Sequence, residues 1–63
     1  MRITIKAARI NKGLTQGEAA KALNVTKKTI SSWEQYRTRP SVDKVENICK
    51  LYGVDYDNIK WNA

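Results

Sequence analysis

The run Thr15-Gln-Gly-Glu-Ala-Ala-Lys-Ala-Leu-Asn-Val-Thr-Lys-Lys-Thr-Ile-Ser-Ser-Trp-Glu34 leaves this chain few ways to fold. Thr15, with Glu18 three residues on, forms a capping box, which opens a helix. Ala19, Ala20 and Leu23 give that helix a narrow apolar face. Asn24 stands where the chain must turn, and among residues with a side chain Asn best tolerates the left-handed conformation. Val25 then enters the core, and Thr26 supplies the hydroxyl cap of a second helix. Ile30 and Trp33, three apart, face back onto the first helix, which leaves Lys27, Lys28, Thr29 and Ser32 outside. A cationic, hydroxyl-bearing first turn held rigidly on a support helix is what reading the DNA major groove requires.

The charge balance agrees. The 63 residues carry a net charge of +6, unevenly spread. From Met1 to Arg39 nine Lys and Arg stand against two acids, and from Pro40 to Ala63 three stand against four. The basicity therefore belongs to the part of the chain that holds the two-helix run, as expected for a face that binds a polyanion. Hydrophobic residues at 41% and charged residues at 29% indicate one small globular domain spanning 1–63. With no His, a lone Cys49 and no paired carboxylates, the sequence offers neither a zinc site, nor a His-based triad, nor an acid/base pair, so neither enzyme nor cofactor is expected. A single cysteine excludes an internal disulfide, and no apolar run approaches a membrane span or a signal peptide; the expected setting is the cytoplasm, with no membrane partner.

The flanks extend the helical pattern. Thr4 caps a first helix reaching Lys12, which Gly13 ends; Ile5 and Ala8 face inward, and Ile3 is placed to pack against Ala8. Leu14 pins the link to the second helix, expected over about Gln16 to Leu23, and the third runs from Lys27 to about Gln35. Tyr36 to Pro40 form a loop, because proline disfavours a helical Arg39. Ser41 caps a fourth helix whose stripe is Val42, Val45, Ile48, Cys49 and Tyr52, with Cys49 as a small buried hydrophobe. Gly53 ends it, Asp55 caps, and Tyr56 to Trp61 read as a short fifth helix. Ile3-Thr4-Ile5 alternates too weakly to predict a strand. The expectation is an all-α, compact five-helix bundle, with Trp33 in the core and Trp61 either closing the core or lying in a subunit interface.

Gly13-Leu14-Thr15-Gln16, Ala20, Val25-Thr26, Ile30, Trp33-Glu34, Pro40-Ser41 and Leu51-Tyr52-Gly53-Val54, in that order, resemble the phage repressor/Cro group of helix-turn-helix proteins, the Xre-like regulators, over about Ile5 to Ile59. The opening Ile-Thr-Ile-Lys-Ala-Ala-Arg and the ending Tyr-Asp-Asn-Ile-Lys-Trp look most like short regulators encoded in prophages of Gram-positive bacteria. The resemblance implies a lambda-repressor-like domain, with its helix-turn-helix at about 15–35, that binds double-stranded operator DNA. It implies base contacts from Lys27, Lys28, Thr29 and Ser32, and a phosphate contact from Gln16, where a helix start already attracts anions. It also implies a semi-buried ion pair between Arg9 and Glu34. Arg37 and Arg39, in the loop after the third helix, are expected on phosphate or as an arm toward the minor groove, and Lys12 either on phosphate or as a counter-charge at a helix end.

The sequence departs from the family pattern at two places that commonly hold Gly. Asn24 is a mild substitute. Tyr36 is not: either the third helix ends differently, or Tyr36 accepts a strained backbone and turns its ring and hydroxyl toward the DNA backbone. Within 63 residues any dimerisation must use the fourth helix and the residues beyond it, so a weak homodimer on a palindrome is expected, with no small-molecule ligand. The competing reading is a protein-interaction module, such as an antirepressor, that keeps the fold without reading DNA. RNA binding is disfavoured, since no exposed aromatics are interleaved for base stacking.

Overall fold

A computed structural model describes residues 1–63. Four α-helices are present: α1 (Ile5–Asn11), α2 (Gln16–Leu23), α3 (Lys27–Glu34) and α4 (Val42–Tyr52). Strand β1 (Ile3–Thr4) precedes them, and a 3-10 turn at Tyr56–Asn58 leads into strand β2 (Ile59–Lys60).

Each α-helix starts on a hydroxyl. Thr4, Thr15, Thr26 and Ser41 accept from the backbone N–H of Ala7, Glu18, Thr29 and Lys44. The Thr15 capping box is complete, because Glu18 also accepts from the Thr15 amide at 2.9 Å. That bond holds the Glu18 carboxyl below the usual carboxylate range. Each helix also ends on a left-handed residue: Gly13, Asn24, Tyr36 and Gly53, at φ of 79°, 58°, 60° and 68°. The ends of α1, α2 and α3 share one two-bond closure, in which Leu14, Val25 and Arg37 donate back to Arg9, Ala20 and Ser32. Lys44 Nζ donates to the Leu23 carbonyl at 2.7 Å and so satisfies a further acceptor at the end of α2.

Ten residues make the core: Ile5, Ala8, Ala19, Ala20, Leu23, Ile30, Trp33, Ile48, Tyr52 and Ile59. Small alanines on α2 let α3 pack closely across it. No helix is long and apolar enough to cross a membrane. No cluster of His, Cys, Asp and Glu is placed to hold a metal ion.

Three expectations are corrected. The fifth helix does not form. Six residues are too few to nucleate one well in water, and extending the chain instead drives Ile59 into the core at 1% exposure. The extended segment pairs in parallel with β1, Ile3 against Ile59 and Thr4 against Lys60, so Ile3–Thr4 is a strand after all. The α4 stripe is the third. Steps of three fall about 60° short of a full turn, so a stripe built on them drifts around the helix. Of the stripe only Ile48 and Tyr52 are buried; Val45 and Cys49 are half-buried, Cys49 packing against the core's edge, and Val42 is 83% exposed.

This drift is measurable. Ile48→Ala is expected to lower unfolding stability by about 3 kcal/mol, the usual cost of a buried aliphatic truncation. Val42→Ala on the same helix should change it by less than about 0.5 kcal/mol, as surface substitutions do. Urea denaturation of the two variants checks the difference.

Candidate nucleic-acid interface

The site is built on α3. Ile30 and Trp33 bury one side of this helix, at 1% and 5% exposure, and thereby fix which side faces out. At 3.6 residues per turn, the line opposite them runs through Lys28, Ser31, Ser32 and Gln35. Lys28 and Gln35 are exposed and the two serines half-buried. Gln35 Nε2 donates to Ser31 Oγ at 3.0 Å, while the Ser32 hydroxyl makes no hydrogen bond within the chain. Ser31 and Gln35 are absent from the residues expected from sequence. Counting three, four and seven positions on from Lys28 would have found them.

Lys27 and Thr29 lie on the two flanks of that line. The Lys27 stem crosses the first turn of α2, its Cδ 3.7 Å from the point a Cβ on Gly17 would occupy. Thr29 is half-buried, and its hydroxyl lies 3.0 Å from that of Thr26 within the cap. Of the four residues expected at the bases, the structure thus sets Lys28 and Ser32 on the outward line and Lys27 and Thr29 beside it.

Behind α3 sits a buried polar network. Arg9 Nε donates to Glu34 Oε2 at 2.6 Å and Arg9 Nη2 to Glu34 Oε1 at 3.3 Å, with the two side chains 8% and 4% exposed. Arg9 Nη1 donates to the Leu14 carbonyl at 2.7 Å, and Gln16 Nε2 donates to Glu34 Oε1 at 3.1 Å. The hydrogen bond to Glu34 holds the Arg9 guanidinium protonated even more firmly than usual, despite burial. Gln16, expected on a phosphate, therefore commits one of its two amide protons to Glu34. Its own backbone N–H and that of Gly17 have no acceptor inside the helix they start. Tyr52 adjoins the ion pair. Burial and the Glu34 charge push its phenol up to about 12, against an opposing effect of Arg9.

Around the site Lys27, Lys28, Arg37 and Arg39 are exposed and have no acidic partner; the ion pairs of the chain are Arg9–Glu34 and Lys50–Glu46. One expectation fails here. Tyr36 does accept the strained backbone, but its ring packs against the core and its hydroxyl donates to the Lys60 carbonyl at 2.7 Å, so that proton is not free for a phosphate. Lys12 places its ammonium 3.7 Å from where a Cβ on Gly53 would lie, at the C-terminal end of α4. There the exposed ammonium stands as a counter-charge near the end of α4 rather than of its own helix, with no hydrogen bond within the chain.

The family model described as helix-turn-helix matches residues 5–59. Neither the curated proteins nor the solved structures gave a match.

Three outcomes are expected from the buried network and its neighbour Tyr52. Glu34→Ala should destabilise the fold by about 3 kcal/mol or more, because it strands the Arg9 charge. The double variant Arg9→Met with Glu34→Leu should regain most of that loss, as chemical denaturation would show. For Tyr52 the folded pKa exceeds the unfolded one, so its contribution is complete below the ordinary value of 10.0 and is lost as pH rises toward about 12. Stability measured from pH 9 to 12 should fall more steeply for the natural chain than for Tyr52→Phe.

Proposed function

The chain belongs to the helix-turn-helix family of Xre- and Cro-type DNA-binding regulators, and from that premise we propose that it reads a specific double-stranded operator through the major groove. One observation carries this reading: an outward line of Lys28, Ser31, Ser32 and Gln35 on a helix whose back is locked by the core and by Arg9–Glu34. In this reading α3 lies in the groove with that line toward the base edges, and α2 crosses the backbone. Lys27, Arg37, Arg39 and the start of α2 at Gln16 take phosphates, and Thr29 meets the groove edge.

The proposed role is that of a Cro- or repressor-like protein of a phage or prophage, acting in the cytoplasm as a homodimer on a palindrome. Half-sites about one helical turn apart would match the two-fold axis of such a dimer. The support is an apolar groove of Pro40, Val42, Val45, Cys49, Val54 and Trp61. Residues 40–63 carry three basic and four acidic side chains, so two copies brought together there would repel only weakly. Tyr56 stacks on Trp61 at 5.4 Å, and both line that groove. The same groove would serve the interaction-module reading, in which the lysines of α3 are dispensable.

Binding to the promoter beside its own gene separates the two. Affinity for that duplex should exceed affinity for random duplex by ~10³-fold or more at ~150 mM salt. Lys28→Ala is expected to weaken specific binding by about 10- to 100-fold and to relax base preference at one position per half-site. Equal affinity for both duplexes would sink the regulator reading. A full biological response from Lys27→Ala with Lys28→Ala would move the assignment to the interaction module.

A further inference from the structure

Three of the four helices end on Gly or Asn, residues that adopt the left-handed region cheaply. The fourth, the one proposed to enter the groove, ends on Tyr36 at φ 60°. An aromatic side chain is strained there where glycine is not, and such a conformation persists only when its surroundings over-determine it. The Tyr36 side chain supplies that determination. Its ring is half-buried against the core, and its hydroxyl donates to the Lys60 carbonyl on β2 at 2.7 Å. No other side-chain hydrogen bond joins residues 55–63 to the helices. Directly beyond it, the Arg37 amide donates to the Ser32 carbonyl at 3.0 Å, and the Arg37 and Arg39 side chains are exposed without an acidic partner.

We propose that Tyr36 is a positioning residue for DNA binding: through its bond to Lys60 it holds the left-handed turn that sets where Arg37 and Arg39 leave α3, so the grip of these arginines on phosphate depends on the docked C-terminal strand. This rests on the DNA-binding reading above. Without the bond the strained turn loses support and samples other backbone conformations. The arginines then lose more freedom on binding, and affinity falls although neither has been altered.

The test uses the full chain and the promoter duplex. Tyr36→Phe keeps the ring and removes the bond; Tyr36→Gly removes the side chain and the strain together. Tyr36→Phe is expected to speed hydrogen exchange at the free protein's Arg37 amide and to weaken DNA affinity, each by about tenfold. In a chain already carrying Arg37→Ala and Arg39→Ala, the same substitution should leave affinity unchanged, because Tyr36 acts through those side chains. Tyr36→Gly, which relieves the strain but also removes the ring packing and the bond, should still fold but bind less tightly. An equal loss of affinity in both arginine backgrounds would mark a general structural role and overturn the proposal. So would natural affinity in Tyr36→Phe or in Tyr36→Gly. If the unaltered chain itself fails to prefer promoter over random duplex, the regulator reading falls, and this proposal with it. If it does prefer the promoter and Tyr36→Phe behaves identically, the proposal alone falls.

Discussion

The buried pair of Arg9 and Glu34 is the contact on which the rest of the structure depends. A guanidinium and a carboxylate are costly to take out of water, and they stay in place only when hydrogen-bonded on all sides. Here the fork of Arg9 meets both oxygens of Glu34 and the Leu14 carbonyl, and Gln16 adds a donor to the same carboxylate. One polar knot thus joins the last turn of α1, the link after it, the first residue of α2 and the last of α3. A pair with so few alternative arrangements specifies geometry more than it adds stability. It fixes the angle at which α3 stands on its support.

The apolar core does the complementary work. Ala19, Ala20 and Leu23 on one side and Ile30 and Trp33 on the other set the depth of contact between α2 and α3. Rotation of α3 about its own axis would expose Ile30 or Trp33 to water, at roughly 1.5–3 kcal/mol for each side chain. The outward line therefore inherits its direction from the inward one. Its four residues need no tertiary contact of their own, and so are free to meet a ligand.

Much of this is legible in the sequence. Thr4, Thr15, Thr26 and Ser41 cap as expected, because an N-cap needs only a hydroxyl and the amide three residues on. Asn24 turns left-handed as expected for the same local reason. The misreadings share a different cause. A spacing of three puts Val42 inward on paper but drifts around the helix; the true inward pair, Ile48 and Tyr52, is four apart. Ser31 and Gln35 fall outside a reading confined largely to the first turn of α3, although the helical period points to them. Tyr56 to Trp61 read as a helix because strand pairing with Ile3 and Thr4, more than fifty residues away, leaves no local mark.

Local sequence alone is enough for the four α-helices α1 to α4, their caps, the turn at Asn24 and the basic character of the half that holds the first three. These rest on interactions within four or five residues, where covalent geometry and side-chain chemistry leave little choice. Packing of the whole chain was needed to set the parallel pairing of the two ends, the approach of Lys12 to the end of α4 and the inward turn of Tyr36 to Lys60. Each joins residues far apart in the chain, and its partner is chosen by how the helices pack, which no local pattern encodes.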